Sequence, residues 1–144
     1  MESFRVQGRF DVRISPSADP TAVPARSSIA KRYYGDLEAE SRGTMLTSVS
    51  PVEGSAGYVA IERVEGTLSG RRGSFVLQHA GLLERGVSEL RIVVVPDSGT
   101  DELLGLAGRM ILETSESDHR YEFEYSLPDG AAAPGAPHLP RGNG

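Results

Sequence analysis

Cysteine is absent from the 144-residue chain. That excludes disulfides, thiolate metal sites and cysteine nucleophiles. Lysine is nearly absent: Lys31 is the only one, and the other basic side chains are arginine. With 15 basic residues against 20 acidic, the net charge is -5. Neither nucleic acid nor an anionic membrane surface is an expected partner, because both call for clustered Lys and Arg. Long apolar runs are missing too. Nothing approaches the roughly 20 consecutive apolar residues of a membrane-spanning helix. The opening MESFRVQGRFDVRI has an early acidic residue and no continuous apolar stretch, unlike a signal peptide, so the cytoplasm is the expected location. Histidine is scarce, at His79, His119 and His138. No His/Asp/Glu pair stands at metal-ligand spacing. SGRRGS lacks Walker spacing, and there is no Gly-x-Ser-x-Gly elbow. Neither a metal nor a cofactor is expected.

Glycine (17) and proline (9) are plentiful, while apolar residues make up only 38%. That combination suits many strands and many turns. Residues 4–14 alternate cleanly, with Phe4, Val6, Phe10, Val12 and Ile14 on one face and charged or polar side chains on the other. This is the period-two pattern of a strand with one buried face. Further strands are expected at 27–40, 43–49, 58–68, 74–84, 88–95, 109–114 and 119–127. The only plausible helical turn lies within 96–108. Short links favour antiparallel neighbours. Eight such strands close most naturally into a barrel, which removes the sheet edges. Its interior is just filled by side chains or holds one small ligand. The expected fold is therefore all-β, an eight-stranded antiparallel barrel over 1–127. The Pro/Gly/Ala-rich tail 128–144 is expected to be disordered alone, or docked on protein surface with His138 near the barrel mouth.

Two stretches carry a family resemblance. YVAIERVEGTLSGRRGSFVLQHAG (58–81) and PDSGTDELLGLAG (96–108) are similar to motifs of the bacterial family called domain of unknown function 3224. KRYYGDLEAESRG (31–43) resembles a third segment of that family, with Ala39 and Ser41 departing from its small glycine-type positions. The resemblance runs over about residues 4 to 127. It implies a barrel like that of allene oxide cyclase, related in shape to lipocalins and dirigent proteins. Shape-level relatives include cofactor-free cyclases of polyketide pathways, an association of fold rather than of site.

The strand GSFVLQHAG places Gln78 beside His79. Strands 58–68 and 74–84 are apolar on both faces, so either Gln78 or His79 can share an inner wall with Glu62. A carboxylate in an apolar cavity has its pKa raised by desolvation and can act as acid or base, with a histidine sharing that role. Glu62, His79 and Gln78 are thus the catalytic candidates. Tyr33, Tyr34, Tyr58, Tyr121 and Tyr125 are candidates for a ligand-contacting wall. Lys31 lies on the alternation face of Ile29 and Tyr33, where it can pair with Glu62 or form a Schiff base. Three functions stay open. One is a cofactor-independent cyclase or isomerase acting on an apolar, polyketide-like intermediate. The second is a barrel that binds a small apolar molecule without chemistry. The third is a structural oligomer with a filled core. A homo-oligomer, such as a dimer, is expected in any case, because a barrel can bury only one face of strands that are apolar on both.

Overall fold

In the computed structural model, residues 3–16, 18, 19, 21–115 and 117–128 are described. Eight strands follow one another: β1 (Ser3–Ser15), β2 (Ala25–Gly35), β3 (Leu37–Val49), β4 (Ala56–Leu68), β5 (Arg71–Glu84), β6 (Val87–Val94), β7 (Ala107–Thr114) and β8 (His119–Ser126). Each pairs antiparallel with the next, and β1 also pairs with β8, which closes the barrel. The expected tail, from residue 129 on, and His138 with it, lie outside the described residues. No helix among the described residues is long and apolar enough to cross a membrane.

The expected strand 27–40 is in fact two. Gly35 takes φ +113°, a conformation that a side chain resists, and the chain reverses there. Residues 37–40 therefore begin β3, and 43–49 are its far half. The alternation misleads because the turn is so tight that Tyr33 and Leu37 are both buried, as if one strand ran through.

The register settles which faces look inward. In β4, Ala60, Glu62 and Val64 are buried, whereas Val59, Ile61 and Arg63 are exposed. Their β5 partners are His79, Leu77 and Phe75, also buried. The Val76/Gln78/Leu82 set therefore faces out. Val59 and Ile61 are each 51% exposed and Leu82 65%, so the outer wall carries an uncovered apolar strip.

The two ends of the barrel differ. After β6 the chain leaves the sheet, makes a 3₁₀ turn at Asp101–Leu103 and returns in β7. This excursion leaves β6 and β7 sharing only the rows Ile92–Met110 and Val93–Arg109. Leu103 and Leu106 are both buried and plug this end. Thr100 Oγ1 accepts from the Ser74 amide and Glu102 Oε1 from the Arg72 amide, pinning the plug to β5. Above the plug the interior is filled by aromatic side chains. Phe75 and Phe123 stack with centroids 5.7 Å apart, and Tyr33 meets Tyr121 edge-on at 5.6 Å. Toward the opposite end the apolar lining opens: Ile29 is buried, but Ile14 and Leu90 are exposed.

Candidate functional site

Between the packed half and the open end lies a ring of polar side chains, all on inward positions. Glu62 of β4 is 0% exposed. Its Oε1 accepts from Lys31 Nζ at 3.2 Å and lies 2.8 Å from His79 Nε2. Its Oε2 accepts from the Tyr33 and Ser41 hydroxyls, each at 2.5 Å. Four strands thus converge on one carboxylate, β2 through Lys31 and Tyr33, β3 through Ser41, β4 through Glu62 and β5 through His79. Two hydrogen bonds on each oxygen meet the acceptor capacity of the group. No buried side-chain nitrogen or oxygen among the described residues lacks a hydrogen-bond partner.

This geometry reverses the expected titration of Glu62. Burial pushes the carboxyl upward, but the His79 hydrogen bond, the Lys31 charge and the Ser41 and Tyr33 hydroxyls outweigh it and hold its pKa at about 2. Glu62 is therefore ionised at neutral pH and is not itself a proton donor or acceptor. The Tyr33 hydroxyl is held well above its ordinary value, by burial and then by the Glu62 charge, so it stays a donor. The Tyr58 hydroxyl is raised by the same two causes.

A carboxylate offers only lone pairs, so the Glu62 contact assigns the hydrogen to His79 Nε2. The other ring nitrogen, Nδ1, faces the Tyr58 hydroxyl at 3.4 Å, the long edge of a hydrogen bond. Tyr58 lies where it does because its cross-strand partner is Gly81: a Cβ there would stand 2.4 Å from Tyr58 Cε1. The tyrosine ring covers the bare glycine backbone and rests beside the imidazole, with centroids 6.3 Å apart. Glu62 thus orients His79 from beneath. Nδ1 and the Tyr58 hydroxyl, on the side of the ring away from the plug, make no hydrogen bond to Glu62, and Lys31 Nζ gives Glu62 one of its three hydrogens.

Of the sequence candidates, Glu62, His79, Lys31, Tyr33 and Tyr58 come together here. Gln78 does not. It is exposed on the outer wall, because strand alternation puts neighbours on opposite faces and His79 takes the inner one. Tyr34 also points outward, with the Arg9 guanidinium 4.1 Å above its ring. Tyr121 is a structural tie: its hydroxyl accepts from the Leu37 amide at 3.0 Å and reaches the Tyr34 carbonyl at 3.0 Å. Tyr125 bonds Ser69 Oγ toward the plugged end. Ser41 is not among the sequence candidates. Its signal is its place opposite Lys31 across the β2–β3 hairpin, which is hidden when 27–40 is read as one strand. Among the described residues no cluster of three metal-ligating side chains occurs.

Comparison with known proteins places this architecture. The family model described as protein of unknown function (DUF3224) matches residues 3–125. A crystal structure of a DUF3224-family protein with unknown function from Shewanella oneidensis MR-1 is 45% identical and superposes with a TM-score of 0.83. The match covers 88% of this chain and 98% of that one. No curated protein matches the chain.

Proposed function

The chain belongs to the DUF3224 family, and we propose that it is a small-molecule barrel that admits an apolar guest at its open end and isomerises or cyclises it without a cofactor. The observation that supports this is the Glu62–His79 pair. A carboxylate fixed by four donors holds an imidazole so that its second nitrogen turns toward Tyr58 and the open end. In this reading His79 Nδ1 takes a proton from a carbon or hydroxyl of the guest. The imidazolium that forms is stabilised by Glu62 directly behind it, as in other carboxylate–histidine pairs. The Tyr58 hydroxyl donates to the oxygen on which charge develops. The fold of the guest inside the apolar wall supplies the rest of the rate. A polyketide-like ketone or enol suits these groups. A second reading, a barrel that binds without turnover, is favoured by the complete enclosure of Glu62 among its own donors. We further propose that the outer apolar strip is covered by a second copy of the chain.

The test uses two probes. Titration with 2-naphthol should shift the NMR resonances of the Tyr58 and His79 rings. Ring opening of 5-nitrobenzisoxazole, which needs only a base beside an apolar site, should be accelerated by the wild type and lost in His79→Ala. Ring shifts with no acceleration would support the binding barrel. Neither effect would sink both readings.

A further inference from the structure

We propose that Lys31 is a carbonyl-capturing amine, which forms a Schiff base with an apolar aldehyde or ketone inside the barrel. This rests on the preceding reading in one respect, that a guest enters at the open end.

Four observations converge. Lys31 is the only lysine in a chain whose other basic side chains are arginine. Its side chain is 6% exposed and lies on the inner face between Ile29 and Tyr33. An arginine would keep the charge and could fork across both carboxylate oxygens, so pairing with Glu62 alone gives no reason for a primary amine here. The ammonium also sits 5.3 Å from the Phe10 ring centroid and 5.7 Å from that of Tyr33, in a mostly apolar wall that would protect an imine from water. Finally, Lys31 Nζ and His79 Nε2 meet the same oxygen, Glu62 Oε1, so the anion that holds the ammonium also stands ready to hold an iminium, with the imidazole next to it.

The step balances without oxidant or reductant. Lys31 gives up a proton to water at the open end, and its nitrogen lone pair attacks the carbonyl carbon. His79 Nδ1, the ring nitrogen that carries no hydrogen, takes the next proton from that nitrogen and passes it to the carbonyl oxygen. A C–N bond forms while the carbonyl π pair moves to oxygen, which takes up a proton. The carbinolamine then loses water as its C–O bond breaks, leaving a protonated imine whose positive charge takes the place of the ammonium beside Glu62. One carbonyl compound and one ammonium yield one iminium and one water. Lysines placed in apolar sites are well suited to this chemistry.

The absence of other lysines makes the test clean, because the α-amine is the only other primary amine. The full chain is incubated with 2-naphthaldehyde and cyanoborohydride, and the reduced adduct is mapped by peptide mass spectrometry. The same reaction in urea gives the rate of Lys31 as an ordinary lysine. We expect Lys31 to be labelled about a hundredfold faster in the folded chain, the low end of what a positioned acid–base partner supplies. His79→Ala should remove most of that gain. Lys31→Arg, which retains the charge, should carry label at the α-amine only. Label confined to the α-amine of the wild type, or Lys31 labelled no faster folded than unfolded, overturns the proposal. If 2-naphthol still shifts Tyr58 and His79 in that case, the barrel binds guests and only the amine chemistry fails. If it does not, the entry of guests fails too.

Discussion

Replacing Glu62 with glutamine tests the central cluster, and its cost can be worked from the geometry. The Glu62→Gln variant would keep the shape but not the charge. Lys31 would lose its counter-ion, and the new amide would offer one acceptor oxygen and two hydrogens to a shell made only of donors. The carboxyl is held at about 2 against an ordinary 4.5. At about 1.4 kcal/mol per tenfold change, its ionised form is favoured in the fold by about 3 kcal/mol. Removing one partner of a buried ion pair costs about 3–5 kcal/mol in general, so the two figures agree. The sign of the pH dependence follows. A carboxyl held low stabilises the fold above its unfolded value of 4.5 and loses that contribution as pH falls toward 2. Urea unfolding of wild type and Glu62→Gln, followed by circular dichroism, should therefore differ by about 3 kcal/mol at pH 7 and by about 1 kcal/mol at pH 2.5. Taking the difference between the two proteins cancels the titration of every other carboxylate. A gap that stays constant between those pH values, or one below about 1 kcal/mol at neutrality, would refute the claim that Glu62 is a desolvated, fully paired anion.

Two further outcomes are expected. Tyr121→Phe should cost about 1–3 kcal/mol, because the Leu37 amide loses its acceptor, yet leave the 2-naphthol shifts of Tyr58 and His79 unchanged; altered shifts would place Tyr121 in the site after all. Sedimentation should show a dimer that Ile61→Arg converts to monomer, since Ile61 lies in the middle of the uncovered strip with Val59 beyond it. A wild-type monomer at micromolar concentration would leave that strip without a partner.

The barrel is legible in the sequence because period-two alternation and glycine turns are local signals. The 3₁₀ turn is legible too, as the one helical turn expected within 96–108, although its role as a plug is not. What fails is information that depends on tertiary context. The Gly35 turn is tight enough to carry the alternation straight through, so the start of β3 reads as the end of β2, and Ser41 is separated from Lys31, its actual neighbour. The choice between Gln78 and His79 has no local signal, since both faces of β5 are apolar and only closure of the barrel decides which is inside. The titration of Glu62 fails for a related reason. Burial alone raises a carboxyl, and only the three-dimensional count of donors shows that it is overcome. The residues that reach Glu62 come from three other strands, β2, β3 and β5, and no local signal gathers them.

The polar ring also has an energetic meaning along the barrel axis. From the plug upward, side chains are aromatic and close-packed, and a continuation in leucine or methionine would complete the core. Buried ion pairs are rarely the most stabilising filling of such a space, since well-packed apolar side chains of similar volume do as well or better. The ring is therefore not explained by stability, although breaking it one residue at a time is costly. Nor does register require it on β2 and β3, where buried inner and charged outer faces already forbid a one-residue slip. The charges stand at the one level where the packed interior gives way to the open end. Glu62 and Tyr33 are fully enclosed there, whereas Lys31, Ser41 and His79 each keep a little exposure, Lys31 the most at 8%. The Lys31 amine and the His79 imidazole are thus among the members that solvent still touches, while the enclosed carboxylate and phenol hold them in place. The amine and imidazole at the opening, with their anchor beneath, are the arrangement that the proposed chemistry on an entering molecule would need.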